Sequence, residues 1–590
     1  MSKSSPKFLS QRFLLTSAIA MQAVLFVECS QLYASVHEEN IEAKELNKNV
    51  ISDEEILKNI PNFEKVMTDG LEKIKFPGAT LSISRANKVL YFKAFGKTAM
   101  PGYKSVEATP QTLFSVSSVS KNISAILVGA LVDAGKISFS DKVRKYYPEF
   151  FMCNEALSNE FTVQDLISHS SGLKHFSGDS LLKAGYDNAK ILNAFRFFKQ
   201  RPGEYRKYYG YQNIVYGIIG IVLEKATGEK YEDLVQKYIF DKMAMKNSSA
   251  IRLDAEASKL GYFKYLLSRF SHDQQRMGLF KAVWNLFAKT IQHKSKVISD
   301  IHTRRLDNIV HLEHTNFYHK FPATSGISLS AEDFAKWLAM LANKGTYKGK
   351  QIVSEHTFNR LTSDIVTIKD IKDEDVTFVK SRFMRENMHY GMGFFNAQYA
   401  DNGRNARKIY FHMGGIRGST AFLSISPSDD IAVGVSCNLG GVAMTRFSEY
   451  AVNAVLDLIF KFNHIDWVQE DIDKNRKFRE KNKKFWDGIS HMNPTPMDKT
   501  EKYVGTYTSE MYGNIKIYEK DDLLYLSNGN KTTSLKHING DVFAFPGIDL
   551  SDSPFAGDEY VIFLRDENRA INSCIVTSLN ENDNVFVKRK

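Results

Sequence analysis

Alternating apolar and polar positions from Phe76 to Ser84, and again from Val89 to Gly96 after a short polar turn, predict a β-hairpin. The pattern then changes period. Val119, Ile123, Ile126, Leu127, Ala130 and Leu131 share one side of a helix, with Gly135 where a C-terminal cap belongs. Thr162 reads as the cap of a second helix and Gly172 as its stop. A Gly- and Ile-rich helix follows Tyr211-Gln212-Asn213 and ends at Thr227-Gly228. Further on, Ser325–Ser330 leads into a helix from Glu332 to Asn343, and Tyr390–Phe394 reads as a strand. Glycines at 414, 415 and 418 stand where a strand through Ala421–Ile425 begins, so that something can approach the backbone closely. A strand from Ile431 to Cys437 and a helix from Tyr450 to Phe460 come next. Charged residues 470–485 form a linker or an exposed helix, and short strands with Gly, Asn and Asp turns run from Tyr503 to the end.

Residues 251–320 break this order. Tyr262, Phe263, Tyr265, Leu266, Phe270, Phe280, Trp284 and Phe287 alternate at helical spacing with Lys264, Arg269, Arg276, Lys281 and Lys289. Such helices either pack their apolar face on their own domain, the favoured reading, or lie on an anionic membrane surface through residues 259–296. His302, His311, His314 and His319 lie nearby without a His-Glu-x-x-His pattern, so no metal is expected.

At 590 residues the chain exceeds what one core supports, and two or more domains are expected. The net charge of +11 is spread rather than gathered, and no nucleic-acid motif occurs, so nucleic acid is not an expected partner. Lys3, Lys7 and Arg12 precede an apolar stretch from Phe13 to Val27, with small residues at Ala34-Ser35. That layout fits a secretory signal over 1–34, followed by a lead-in over 35–60. Leu32 spoils the cleavage site, which keeps an uncleaved anchor as the alternative. Of four cysteines, Cys153, Cys437 and Cys574 would survive cleavage, too few for a disulfide framework and wrongly spaced for a metal.

The chemistry centres on Ser118 and Lys121, one helical turn apart at the start of the first long helix. A serine hydroxyl needs a base to become a nucleophile, and a lysine serves as one if burial lowers its pKa. Ser-x-x-Lys also begins at Ser4, Ser171 and Ser180, but only the Ser118 copy enters a long apolar helix. His169 reads as a structural hydrogen-bonder, and Tyr211 and Asn213 as a turn that would add a proton-transfer group and a polar substrate contact.

Taken together, these stretches resemble the serine β-lactamase and penicillin-binding-protein superfamily, in its class C-like branch of D-aminopeptidases, esterases and mitochondrial β-lactamase-like proteins. The likeness covers residues 61–465. It also rests on Pro77-Gly78-Ala79, Asp141–Pro148, Ile167–Leu173 and Pro202-Gly203, which recur in family order. The resemblance implies an α+β fold: an antiparallel sheet with helices beside an all-helical lobe, and the site in the cleft between them. A linker over 466–497 and a small β-barrel-like domain over 498–590 would follow. It implies that Ser118 is acylated, that Lys121 and Tyr211 shuttle protons, and that Asn213 holds a substrate amide. His412-Met413-Gly414 would stand for the usual Lys-Thr-Gly, making His412, Gly414 and Gly415 substrate contacts, and the backbone N–H groups of Ser118 and Gly415 the oxyanion hole. A mostly neutral His412 weakens the pull on a carboxylate. The expected activity is therefore an exported, cofactor-free serine hydrolase acting on a peptide, D-amino-acid amide or ester, in preference to a true β-lactamase or DD-carboxypeptidase. A non-catalytic scaffold is the alternative of a different class. The oligomeric state is not legible.

Overall fold

Eight antiparallel strands form the main sheet, in the order Val366–Thr367, Phe383–Tyr390, Phe395–Asp401, Arg404–Ile416, Ser419–Ser426, Ile431–Cys437, Gly78–Arg85 and Lys88–Gly96. The computed structural model describes residues 51–589 except 184, 202, 251–298, 300, 306–307, 313–320, 370–381, 417, 441–445, 491–492, 529–530, 547–557, 578 and 580–584. The predicted signal segment and the aromatic-basic helices of the insertion lie outside these residues. Among the described residues, no helix is long and apolar enough to cross a membrane.

The N-terminal hairpin joins the sheet through its first strand, which pairs with the C-terminal strand Ile431–Cys437 over Ala79↔Cys437 to Arg85↔Ile431. Every residue from Gly78 to Ser84 is buried, because the helix Ala331–Ala342 covers one face of this part of the sheet. Even the small polar side chains are satisfied there. Ser82 and Ser84 donate to the Ala331 and Ala335 carbonyls at 2.8 Å each. The helix Phe447–Ile459 packs against Ile431–Cys437, Ser419–Ser426 and Ile60–Ile74.

The helix that follows Ser118 spans Ser120–Asp133, and the chain turns out of it through Gly135. It was expected to be amphipathic, but it is buried on all sides from Ser120 to Leu131. Its polar residues tie it into the core. Ser120 accepts from the Ile327 N–H, Asn122 from the Trp337 indole, and Ser124 meets the Tyr231 hydroxyl at 2.6 Å. Helices Tyr231–Val235, Pro322–Ser325 and Glu355–Leu361 pack on it, Val163–Ile167 packs on Asn213–Thr227, and together they make the helical part of the fold. Thr162 caps the helix as expected, in a capping box completed by Asp165, but the helix stops at Ile167, well before Gly172. The chain turns out of it through His169 at φ +56°.

Two strand readings need correction. Tyr390–Phe394 is not one strand but the turn between Phe383–Tyr390 and Phe395–Asp401. At Gly393, φ is +79° and a Cβ would lie 2.6 Å from the Ala125 Cβ, so the turn presses directly on the helix behind Ser118. The glycines at 414 and 415 end a thirteen-residue strand, Arg404–Ile416, rather than beginning one.

Residues 470–485 belong to one helix, Trp467–Ser490. Beyond it, eight antiparallel strands from Gly505–Ser509 to Val585–Lys588 close into a barrel. Alternate residues such as Ile515, Ile517, Leu524, Leu526 and Phe563 fill its interior. The barrel is bonded to the helical part through Tyr186 and Lys190: the Tyr512 carbonyl accepts from the Tyr186 hydroxyl at 2.6 Å and from Lys190 Nζ at 2.9 Å, and Asn528 Oδ1 lies 3.1 Å from the same hydroxyl.

Candidate active site

Ser118 sits in a single 3₁₀ turn, Ser117–Val119, that feeds the buried helix. The turn is strained, since Ser117 holds φ at +50°, a region that side-chain-bearing residues avoid. Ser117 Oγ is pinned by the Ser419 hydroxyl at 2.8 Å. Ser118 itself is 8% exposed, enclosed but reachable.

Lys121 is entirely buried one turn on. Its Nζ donates to Ser118 Oγ at 3.0 Å, to Asn213 Oδ1 at 2.8 Å and to the Thr324 carbonyl at 3.3 Å. Burial disfavours the ammonium and brings the pKa down to about 7, against a smaller opposing pull from the Asp179 carboxylate. Near neutrality, both protonation states are therefore populated. The neutral amine keeps two N–H donors for Asn213 and Thr324 and turns its lone pair to the Ser118 hydroxyl, which is the orientation a general base needs.

Tyr211 reaches the same hydroxyl from the other side. Its side chain is hydrogen-bonded to Ser118, and its ring centroid lies 4.8 Å from Lys121 Nζ. Burial raises the phenol pKa, an effect the bond to Ser118 partly offsets, so Tyr211 is a proton carrier rather than a phenolate at neutral pH. Two histidines hold the backbone beneath it. His175 Nδ1 accepts from the Tyr211 N–H at 3.0 Å, and His169 Nδ1 accepts from the Gln212 N–H at 3.2 Å. His169 is buried with its pKa held well below 6.5, first by desolvation and then by Lys121, which makes it a neutral support.

The wall opposite is the end of Arg404–Ile416. Pairing with Phe395–Asp401 stops at Phe411↔Phe395, while pairing on the other side continues to Ile416↔Ser419. Positions 412–416 thus present one edge that neither flanking strand covers. Gly414 touches the nucleophile's own turn: a Cβ there would overlap the Val116 carbonyl oxygen and stand 3.1 Å from the Ser118 nitrogen. Gly415, next to it, is exposed.

Two expected contacts are placed differently. His412 is fully buried rather than facing a substrate. Its Nδ1 bonds the Met413 carbonyl at 2.7 Å and its Nε2 accepts from the Tyr390 hydroxyl at 3.2 Å. Desolvation, aided by Lys121, lowers its pKa to about 3, so it offers no cation. Asn213, expected to hold a substrate amide, has both ends engaged, since its Nδ2 donates to Asp179 Oδ2 at 2.6 Å. Asp179 and the Thr324 carbonyl were not foreseen. The first merely precedes the Ser180 copy of Ser-x-x-Lys, which announces no acidic partner, and the second is a backbone group that no side-chain pattern announces. His302, one of the four histidines of the insertion, is buried with Nδ1 on the Asn438 carbonyl and Nε2 accepting from the Met100 N–H, each at 3.2 Å.

Comparison with known proteins agrees with this arrangement. The β-lactamase family profile matches residues 63–456, and a domain of unknown function, DUF3471, matches residues 491–585. Among curated proteins, the unguisins hydrolase ungD' of Aspergillus campestris is 22% identical over 498 residues, 80% of each chain. PbpX of Bacillus subtilis is 26% identical over 222 residues, covering 38% of this chain and 53% of that protein. Protein flp of Staphylococcus aureus is 23% identical over 190 residues, 32% of this chain and 37% of its own. Among solved structures, the octameric penicillin-binding protein homologue from Pyrococcus abyssi superposes with a TM-score of 0.50 at 18% identity, over 90% of this chain and all of that one. With the family profile spanning well over half of its length, the chain belongs to the β-lactamase family, whose members are serine hydrolases.

Proposed function

We propose that this protein is an exported serine hydrolase that cleaves a peptide, D-amino-acid amide or ester through an acyl-enzyme on Ser118. The observation that carries the reading is the 3.0 Å approach of a buried lysine, poised near neutrality, to a serine that also bonds a tyrosine. In the first step Ser118 Oγ bonds the substrate carbonyl carbon while its proton passes to neutral Lys121. The N–H groups of Ser118 and Gly415 receive the negative oxygen. The C–N or C–O bond then breaks, and the leaving group takes the proton, relayed by Tyr211. Water attacks the acyl-serine by the same route in reverse, returning the proton to Ser118.

The uncovered edge at 412–416 suits an extended acyl chain that adds its own backbone hydrogen bonds. Phe176, 48% exposed and edge-on to the Tyr211 ring, offers an apolar rim. A neutral, buried His412 offers a carboxylate no partner, which favours amides and esters over β-lactams. A relative named as a hydrolase supports the hydrolytic reading. Export rests on the apolar stretch Phe13–Val27 behind a basic start.

Intact-mass spectrometry with a fluorophosphonate and, separately, a penicillin tests the reading, each beside Ser118→Ala. A serine-dependent adduct with fluorophosphonate and none with penicillin is expected. Folded wild-type protein that forms no adduct with either reagent overturns it.

A further inference from the structure

Asp179 lies at the start of a short helix, Asp179–Lys183, thirty-four residues before Asn213. Its Oδ2 accepts from Asn213 Nδ2 at 2.6 Å, and the Oδ1 of the same amide accepts from Lys121 Nζ at 2.8 Å. We propose that Asp179 is a positioning residue of the acylation site, holding the Asn213 amide in the one orientation that turns its oxygen to Lys121. The proposal rests on the serine-hydrolase reading above. A primary amide has two nearly isosteric ends, and only an acceptor on one side fixes which end faces the lysine. Were the amide turned over, its NH₂ would oppose the Lys121 N–H donors, and the lysine would lose one of the two contacts, Asn213 and Thr324, that aim it at Ser118.

The same carboxylate acts at longer range. The groups facing Lys121 are Ser118, the Thr324 carbonyl, Asn213, the rings of Tyr211 and Tyr216, and the buried His169 and His412. Both histidines are neutral at pH 7, which leaves Asp179 as the anion that favours the charged lysine. Asp179 therefore does two separable things. Its oxygen orients an amide, and its charge holds the lysine's titration higher than burial alone would.

Two substitutions in the full-length protein separate them. Asp179→Asn keeps an acceptor and removes the charge. The rate of fluorophosphonate labelling of Ser118, followed against pH, should rise at lower pH than in wild type, by about half a pH unit or more. Asp179→Leu removes the acceptor as well, and labelling at its pH optimum should slow by at least about tenfold, since misorienting a base is costly to rate. Asp179→Glu should restore part of that loss. Asp179→Leu in an Asn213→Ala background should add little, because the amide it orients is gone. Circular dichroism and thermal melting confirm that each variant is folded, and the Asn variant serves should the Leu variant not fold. Wild-type protein that labels at Ser118, together with Asp179 variants showing unchanged rate and unchanged pH profile, overturns the positioning role while leaving the hydrolase reading intact. Wild-type protein that fails to label overturns both.

Discussion

Replacing Lys121 by methionine should make the protein more stable at pH 7 while removing its acylation chemistry. Lys121 is fully buried, and its pKa falls from 10.5 to about 7. The sign follows from linkage: the unfolded chain binds a proton that the folded one gives up, so the lysine destabilises the fold. The penalty is complete below the folded pKa and fades as pH rises from about 7 toward 10.5. It amounts to about 4 kcal/mol at pH 7 and about 2 kcal/mol at pH 9. Methionine removes this penalty and fills similar volume, but strips a donor from Asn213 Oδ1 and from the Thr324 carbonyl. Those losses take back about 1 kcal/mol each. The expected net gain is about 1–2 kcal/mol at pH 7, vanishing by pH 9 as wild type recovers about 2 kcal/mol. Matched urea titrations of wild type and Lys121→Met at pH 7, 8 and 9 read the difference, and fluorophosphonate labelling should fall by at least about a hundredfold. A stability difference that does not change with pH would refute the argument. So would a variant that is less stable at pH 7 by the amount expected for cutting a well-solvated ion contact.

Three further outcomes follow from individual contacts. Gly414→Ala places a methyl against the Val116 carbonyl and within 3.1 Å of the Ser118 nitrogen, and labelling should drop by about a hundredfold, because displacing the nucleophile by about 1 Å is enough. Tyr390→Phe leaves buried His412 Nε2 without its donor and should lower stability by about 1–3 kcal/mol, read by denaturant titration. Lys190→Met with Tyr186→Phe removes both donors to the Tyr512 carbonyl, and calorimetry should then resolve the barrel's unfolding from that of the main body.

Local signals were the ones the sequence displayed. Ser118 and Lys121 are three residues apart, so one helical turn suffices to bring them together, and the hairpin of Gly78–Gly96 needs only alternation and a turn. The family likeness extended this to Tyr211 and the strand end at 412–415, and to the antiparallel sheet and barrel. Burial on every side of Ser120–Leu131 was not legible, because Lys121, Asn122 and Ser124 read as a polar face until their partners at 213, 337 and 231 are known. Tyr390–Phe394 misled for a related reason. Aromatic residues alternating with glycine look like a strand, and only the positive φ at Gly393 and its approach to Ala125 make it a turn. The acceptor on the Asn213 NH₂ was not legible because Asp179 merely precedes the Ser180 copy of Ser-x-x-Lys, a pattern that announces no acidic partner.

These observations bear on why a histidine suits position 412. A lysine there would place a second cation near Lys121, in surroundings that already lower the pKa of His412 to about 3. Two ammonium groups sharing a dry site would drive each other toward neutrality. A histidine avoids the competition: with Nδ1 on the Met413 carbonyl and Nε2 on the Tyr390 hydroxyl, it is satisfied in its neutral form. Neutral His169 under Tyr211 and Gln212 likewise adds no cation on the other flank. The electrostatics of the site then reduce to one base and one anion, Lys121 and Asp179, joined through a single amide. In such a site the identity of residue 412 governs what a substrate's charge meets, whereas residue 179 governs when the base is ready.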